Sequence, residues 1–147
     1  MSKTAAFDFN FLSMTLAGKA IANVCSTAGT TSIWLSLHTA DPGGGGSTAA
    51  EGGYATYTRV LTDRSTGGWA VTSGTSSAPL ATASPVSVVN FPQNTAATTG
   101  TFSFMAIWPS SSAVAGAALY TGSVSPVINF GQNVTPQLTT GSSVTET

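Results

Sequence analysis

The sequence has very little charge. Of its 147 residues four are Lys or Arg and five are Asp or Glu, so 6% is charged, against about 25% in an ordinary soluble domain. Four scattered basic residues and a net charge of −1 cannot form the basic stripe that a phosphate backbone requires. Nucleic acid is therefore excluded as an expected partner. Histidine and cysteine occur once each, at His38 and Cys25. A lone cysteine makes no internal disulfide, which suits a chain made in a reducing cytosol. Zinc needs three or four converging ligands, but the His, Cys and carboxylate candidates are spread from Asp8 to Glu146 without a cluster. An Asp-rich calcium loop is missing too, so no metal and no other cofactor is expected. No apolar run approaches the ~18 residues of a membrane span. The opening MSKTAAFDFNF carries one lysine and no apolar h-region, so it does not read as a secretory signal. No membrane partner is expected.

What replaces charge is small and neutral. Thr, Ser, Ala and Gly together supply 81 of the 147 residues. The chain is 41% hydrophobic, enough for the core of one domain. Hydroxylated residues then cover the surface that charges would otherwise cover. A chain near zero net charge has little repulsion between copies, and this favours association.

One segment carries helical periodicity. Leu12, Leu16, Ala17, Ala20, Ile21 and Val24 recur at helical spacing, which predicts a helix over 12–25. Asn10 is its expected N-cap and Ser26–Gly29 its stop. Period-two patterns follow. Strands are predicted at Ser32–His38, Tyr54–Asp63, Gly68–Thr72, Pro85–Phe91, Thr101–Trp108, Ala117–Ser123 and Val127–Phe130, with a weaker one at Val134–Leu138 because Pro136 interrupts it. The intervals are turn chemistry: DPGGGG, STGG, SGTSSAP, FPQN, WPSSS, SVSP and FGQN. About eight short strands with turns between them predict an all-β, antiparallel, jelly-roll-like β-sandwich with one N-terminal α-helix. The expected organisation is an N-terminal arm over 1–11, a single domain over 12–140, and a C-terminal tail over 141–147 that is ordered only if something docks it.

The stretch LSLHTADPGGGG, residues 35–46, looks most like a site. Acid–base catalysis could use His38 with Asp41 as orienting carboxylate, but a nucleophile would have to join them. Cys25 is the one thiol. It sits at a predicted helix C-terminus facing the core, where the macrodipole raises rather than lowers a thiol pKa. No catalytic signature forms, and an enzyme is not expected. The glycine run lacks the following helix and the lysine of a phosphate loop. Asp41-Pro42-Gly43 is turn chemistry, and the remaining glycines read as a flexible connection. Trp34, Trp69, Trp108, Tyr54, Tyr57 and Tyr120 could stack on sugars, but most fall at core-facing strand positions. Phe7, Phe9 and Phe11 alternate with Asp8 and Asn10 ahead of the helix. That pattern suits either a short strand or arm added to a neighbouring subunit's sheet edge or docking on the chain's own sheet. These three residues are the candidate subunit interface.

Three motifs resemble a known family. Trp34-Leu-Ser-Leu-His-Thr-Ala-Asp-Pro-Gly43, Glu51-Gly-Gly-Tyr-Ala-Thr-Tyr-Thr-Arg59 and Gly67-Gly-Trp69 are similar to those of small tailed-bacteriophage virion proteins. A later strand ending in an exposed aromatic, Phe104–Trp108, continues the likeness. Such proteins are often labelled tail-fibre proteins, and similar ones are jelly-roll cement or head-decoration proteins. The Gly43–Ala50 loop departs from the pattern in being longer and richer in glycine. The resemblance implies no catalytic residues. It implies a virion protein made in the bacterial host cytoplasm and placed on the capsid surface. There it would bind the major capsid protein and itself, as a dimer or trimer, and stabilise the mature head. A tail-fibre or tail-tip structural or receptor-binding role is the alternative.

Overall fold

The computed structural model describes residues 5–20, 32–44, 46–73, 81–112 and 118–146. They hold one helix, α1 (Ala5–Ala17), and nine strands: β1 (Ser32–His38), β2 (Val60–Asp63), β3 (Trp69–Ser73), β4 (Ala81–Pro85), β5 (Val89–Asn90), β6 (Gly100–Trp108), β7 (Tyr120–Phe130), β8 (Gln137–Leu138) and β9 (Val144–Glu146). Every strand pairing with a described register is antiparallel, and the protein is mainly β. The chain divides into two compact units. One takes in Met1–Ser32, Asp63–Val88 and Thr139–Thr147, the other Ile33–Thr62 and Val89–Leu138.

In the first unit α1 packs on β3 and β4 of a sheet ordered β3-β4-β9. Leu12, Ser13, Leu16 and Ala17 form its buried face. The first part of the expected apolar stripe is thus in place, but the helix lies earlier than 12–25. Asn10 is an exposed mid-helix residue rather than an N-cap, and Ala20 lies exposed beyond the helix end. Gly18, at φ +65°, closes the helix, and the Lys19 N–H returns to the Ser13 carbonyl at 3.0 Å, a glycine-mediated stop. The Arg64 guanidinium donates to the Thr15 carbonyl at 2.6 Å and to that of Met14, so a cation meets the negative end of the helix and fills its orphan acceptors. Ile21, Val24, Cys25 and the Ser26–Gly29 stop lie outside the described residues.

Phe7, Phe9 and Phe11 fall inside α1, not in a strand or arm ahead of it. From Ala5 to Met14 there is no Gly, Pro or β-branched residue, so helix formation meets no local obstacle. Beneath the helix, β4 turns small residues inward: Ala81, Ala83 and Pro85 are buried between half-buried Thr82 and Ser84. Residues 81–84 precede the strand expected at Pro85–Phe91, of which β5 retains Val89–Asn90. The expected tail is also structured, for β9 pairs Val144 with Ala83 and Glu146 with Ala81.

The second unit is built on a sheet ordered β2-β1-β6-β7, with β5 and β8 as a separate pair. β1 is internal to that sheet. Ile33, Leu35 and Leu37 alternate with Trp34, Ser36 and His38, and from Leu35 onward both faces are buried. Tyr54–Asp63 is extended only from Val60. Upstream of it the rings of Tyr54 and Tyr57 join Phe91, Phe102 and Phe130 in a cluster, with Phe102–Phe130 centroids 4.6 Å apart. The two strands expected at Ala117–Ser123 and Val127–Phe130 are one strand. β7 runs through the SVSP stretch, with a register shift opposite Phe102/Phe104 absorbing the extra residues. Buried Asn94 organises the segment after β5. Its amide donates to the Thr98 carbonyl at 2.7 Å and its side-chain oxygen accepts from Ala96 N–H at 2.9 Å.

Phe102 has no exposed surface and touches three of the other rings, so Phe102→Ala is expected to cost about 3–5 kcal/mol. Urea unfolding checks this; a loss well under 1 kcal/mol would mean that the aromatic cluster is not the core of this unit.

Candidate functional site

The segment between β1 and β2 is held by hydrogen bonds at its base. Leaving β1, the chain makes an excursion over 39–50 and returns so that Glu51 pairs with His38. Thr39 N–H donates to the Ala50 carbonyl at 3.0 Å and Gly52 N–H to the Leu37 carbonyl at 2.9 Å. Asp41 caps its own turn, its Oδ1 accepting from Gly43 N–H at 2.8 Å, as an Asx turn does. The carboxylate therefore serves the turn, in agreement with the turn reading of Asp41-Pro42-Gly43. Within the glycine run Gly46 is held in place. Gly46 N–H donates to the Gly43 carbonyl and Ser47 N–H to that of Pro42. Thr121 Oγ1 donates to the Gly43 carbonyl at 3.2 Å, tying the loop to β7.

From Glu51 the chain carries Gly52, Tyr57 and Arg59 back beneath the sheet. Gly52 sits at φ +71°, and a Cβ there would lie 2.7 Å from the Tyr57 ring, so glycine is required on both conformational and steric grounds. Tyr57 uses its Oη to accept the Leu37 N–H at 2.7 Å. Burial pushes its pKa up, outweighing the lowering effect of that hydrogen bond.

Arg59 is buried. Its Nε and Nη2 donate to Oε1 and Oε2 of Glu51, each at 2.7 Å, a bidentate pair. Nη1 donates to the carbonyls of Ser112 at 2.8 Å and Ser110 at 3.3 Å. The guanidinium carbon lies 3.8 Å from the centroid of the Trp108 ring, within cation–π range. Trp108 is 1% exposed. It is not the exposed aromatic expected at the end of Phe104–Trp108, because it closes the cluster from the β6 side.

On the same face of the sheet, Trp108 stands opposite Trp34, Ala106 opposite Ser36 and Phe104 opposite His38. Trp108 Nε1 donates to Ser36 Oγ at 2.6 Å. His38 Nε2 lies 2.7 Å from the same oxygen, and the Ala106 carbonyl lies 3.5 Å from it. One assignment satisfies the hydroxyl. Ser36 Oγ accepts from Trp108 and from His38 Nε2–H, and donates to Ala106. His38 Nδ1 is then a buried lone pair without a partner. Protonation would turn it into an unpaired buried donor, which is costlier. Burial accordingly lowers the His38 pKa below 6.5; Glu51 opposes this and Arg59 adds to it.

The arrangement suits packing better than acid–base chemistry. Ser36 and His38 have no exposed surface, and in this tautomer Nε2 donates and cannot take the serine proton. Asp41 is engaged in its turn. Among the described residues no group of three or more His, Cys, Asp or Glu could hold a metal. Trp69 and Tyr54 are buried as core residues, while Trp34, Tyr57 and Tyr120 are half-buried. Of the candidate interface, Phe9 is half-buried and Phe11 is 36% exposed. Sequence reasoning named Glu51 and Arg59 only within a motif; an acid and a base eight residues apart carry no spacing signal for an ion pair.

Fold and cluster together define a mainly β protein whose distinctive polar residues secure its own loops. Residues 10–145 match the model of the family described as podophage GP4 fiber I protein gp80, and the chain belongs to that family. It is a structural protein of the phage virion, as the LHTADPG and EGGYATYTR motifs implied. No curated protein matches it.

Two outcomes are expected. Arg59→Ala leaves Glu51 buried without its partner and should cost about 3–5 kcal/mol by denaturant unfolding; a loss below 1 kcal/mol would mean that the clamp is not structural. For His38 the sign follows from its lowered folded-state pKa. Stability is full above 6.5 and falls as pH drops from there toward the folded-state pKa, because the unfolded chain takes up the proton first. The urea midpoint should therefore be lower at about pH 5.5 than at about pH 7.5, within the range where histidine alone among unperturbed side chains titrates. His38→Gln should flatten this difference; a difference that persists in the variant would assign it elsewhere.

Proposed function

We propose that this chain is a fibre component of a podophage particle. The observation that carries this reading is the match over residues 10–145 to a family described as a fiber protein. A fibre component acts mechanically, through its contacts with other virion subunits and with copies of itself. The near-neutral surface supports such a role, since burying it against a neighbour desolvates few charges, and unpaired buried charges are costly. Phe7, Phe9 and Phe11 of α1 are part of the proposed contact surface, with Phe11 the most accessible of those described. No catalytic step is assigned to the protein.

A second reading, capsid decoration, is favoured by the same 6% charge. A decoration protein on the capsid surface would bind the major capsid protein at many sites, and weak contacts would add through multivalency to stabilise the mature head. Dimeric or trimeric subunits and a jelly-roll-like wrapping of the strands belong to this proposal.

Cryo-electron microscopy of particles labelled with an antibody to the chain, combined with its copy number relative to the coat protein, separates the two. Label confined to fibres, at a small fraction of the coat protein's copy number, is expected. Label spread over the head at a copy number close to the coat protein's would overturn the fibre reading in favour of decoration.

A further inference from the structure

The two edges of the β2-β1-β6-β7 sheet are built differently. β2 is four residues long and ends in the exposed carboxylate of Asp63. A short edge strand with a charge at its end resists pairing with another chain. β7 has the opposite character. It is 11 residues long, and between Arg64 and Glu146 the sequence contains no charged residue. Among the described residues no strand pairs with its outer edge. Val127 on the strand is 49% exposed, and Leu119 and Val134 flank it at 42% and 41%. By strand geometry, alternate residues of β7 turn their N–H and C=O groups outward from β6. Pro126 is tolerated because this is an edge; it removes one donor and leaves stretches on either side.

We propose that the outer edge of β7 pairs with β7 of a second copy of this chain, antiparallel across a two-fold axis. The occupant follows from charge. Two copies meeting along β7 bring no charged residue of either strand into contact, so self-pairing has neither like-charge repulsion nor a charge-desolvation cost to overcome. Val127 of each copy is brought to the shared edge at once, as an isologous contact requires. The inference deepens the virion reading by naming the face through which copies join. Its test is made in solution, so it can fail while the particle location stands, and the reverse.

Sedimentation velocity of the purified full chain is expected to give a concentration-dependent dimer. Val127→Lys places like charges at the shared edge and should shift the chain to monomer, with its circular dichroism, and its urea midpoint at a dilution where the parent is also monomeric, close to those of the parent. Leu61→Lys, on the exposed β2 edge of the same sheet, should leave the dimer intact. Hydrogen exchange provides a readout without substitution: β7 amides should be more protected at concentrations where the dimer forms than at dilution. A chain that stays monomeric at all concentrations would overturn the proposal. So would a trimer, a dimer indifferent to Val127→Lys, or one dissociated by Leu61→Lys instead.

Discussion

The Arg59 guanidinium, held between the Glu51 carboxylate, the Trp108 ring and the carbonyls of Ser110 and Ser112, is the interaction on which much of the second unit depends. It joins the return from the 39–50 loop and the approach to β2, eight residues apart, to the exit from β6, about 50 residues further on. A buried arginine is stable only with its hydrogen bonds filled and its charge matched. Here four donor contacts and one carboxylate meet those conditions. Lysine could not substitute, since it has neither the planar fork nor the flat face that stacks on indole.

The placement of the few charges follows a consistent pattern. Glu51 and Arg59 form the clamp, Arg64 closes the C-terminal end of α1, Asp41 caps the turn after β1, and Asp63 accepts from the Ser65 hydroxyl at 2.6 Å in the turn before β3. Charges that elsewhere would keep molecules apart in solution are here engaged in internal structure. Asp41 and Asp63 do this from exposed positions and Lys19 is also exposed, so the surface is sparsely charged and otherwise rich in Thr, Ser and small apolar residues, which suits a protein that functions among close neighbours in a particle. His38 fits the same logic. It is kept neutral by burial and serves as a rigid polar neighbour for Ser36 and Trp108.

Period-two alternation is legible for β1, β3 and β6, where apolar residues recur at every second position. It fails for β4, whose Ala-Thr-Ala-Ser-Pro composition offers little contrast, and for β9, where a two-residue rhythm is lost among Ser and Thr. β7 was read as two strands because Ser-Val-Ser-Pro has turn composition; a bulge accommodates it within the ladder. The aromatic alternation of Phe7, Phe9 and Phe11 suggested a strand, but at Phe7 and Phe11 it also satisfies the i, i+4 spacing of a helix, and packing on β3 and β4 selects that. The site was legible in part. Its histidine, glutamate and arginine stand in recognisable motifs, and the turn role of Asp41 could be read directly. The clamp could not be read, because it requires Trp108 and the Ser110 and Ser112 carbonyls, about 50 residues from Arg59, to be brought there by the β1–β6 pairing.

The central claim is that the motif residues from His38 to Arg59 form a structural lock within the core of their unit. Native-state hydrogen exchange at the amides of Leu37, Thr39 and Gly52 tests it most directly, because these donate to Tyr57 Oη and to the carbonyls of Ala50 and Leu37. The lock requires all three to exchange with the same free energy as the β1–β6 ladder, through unfolding of the whole unit. Exchange of these amides by a local opening of much lower free energy, while the ladder stays protected, would contradict it.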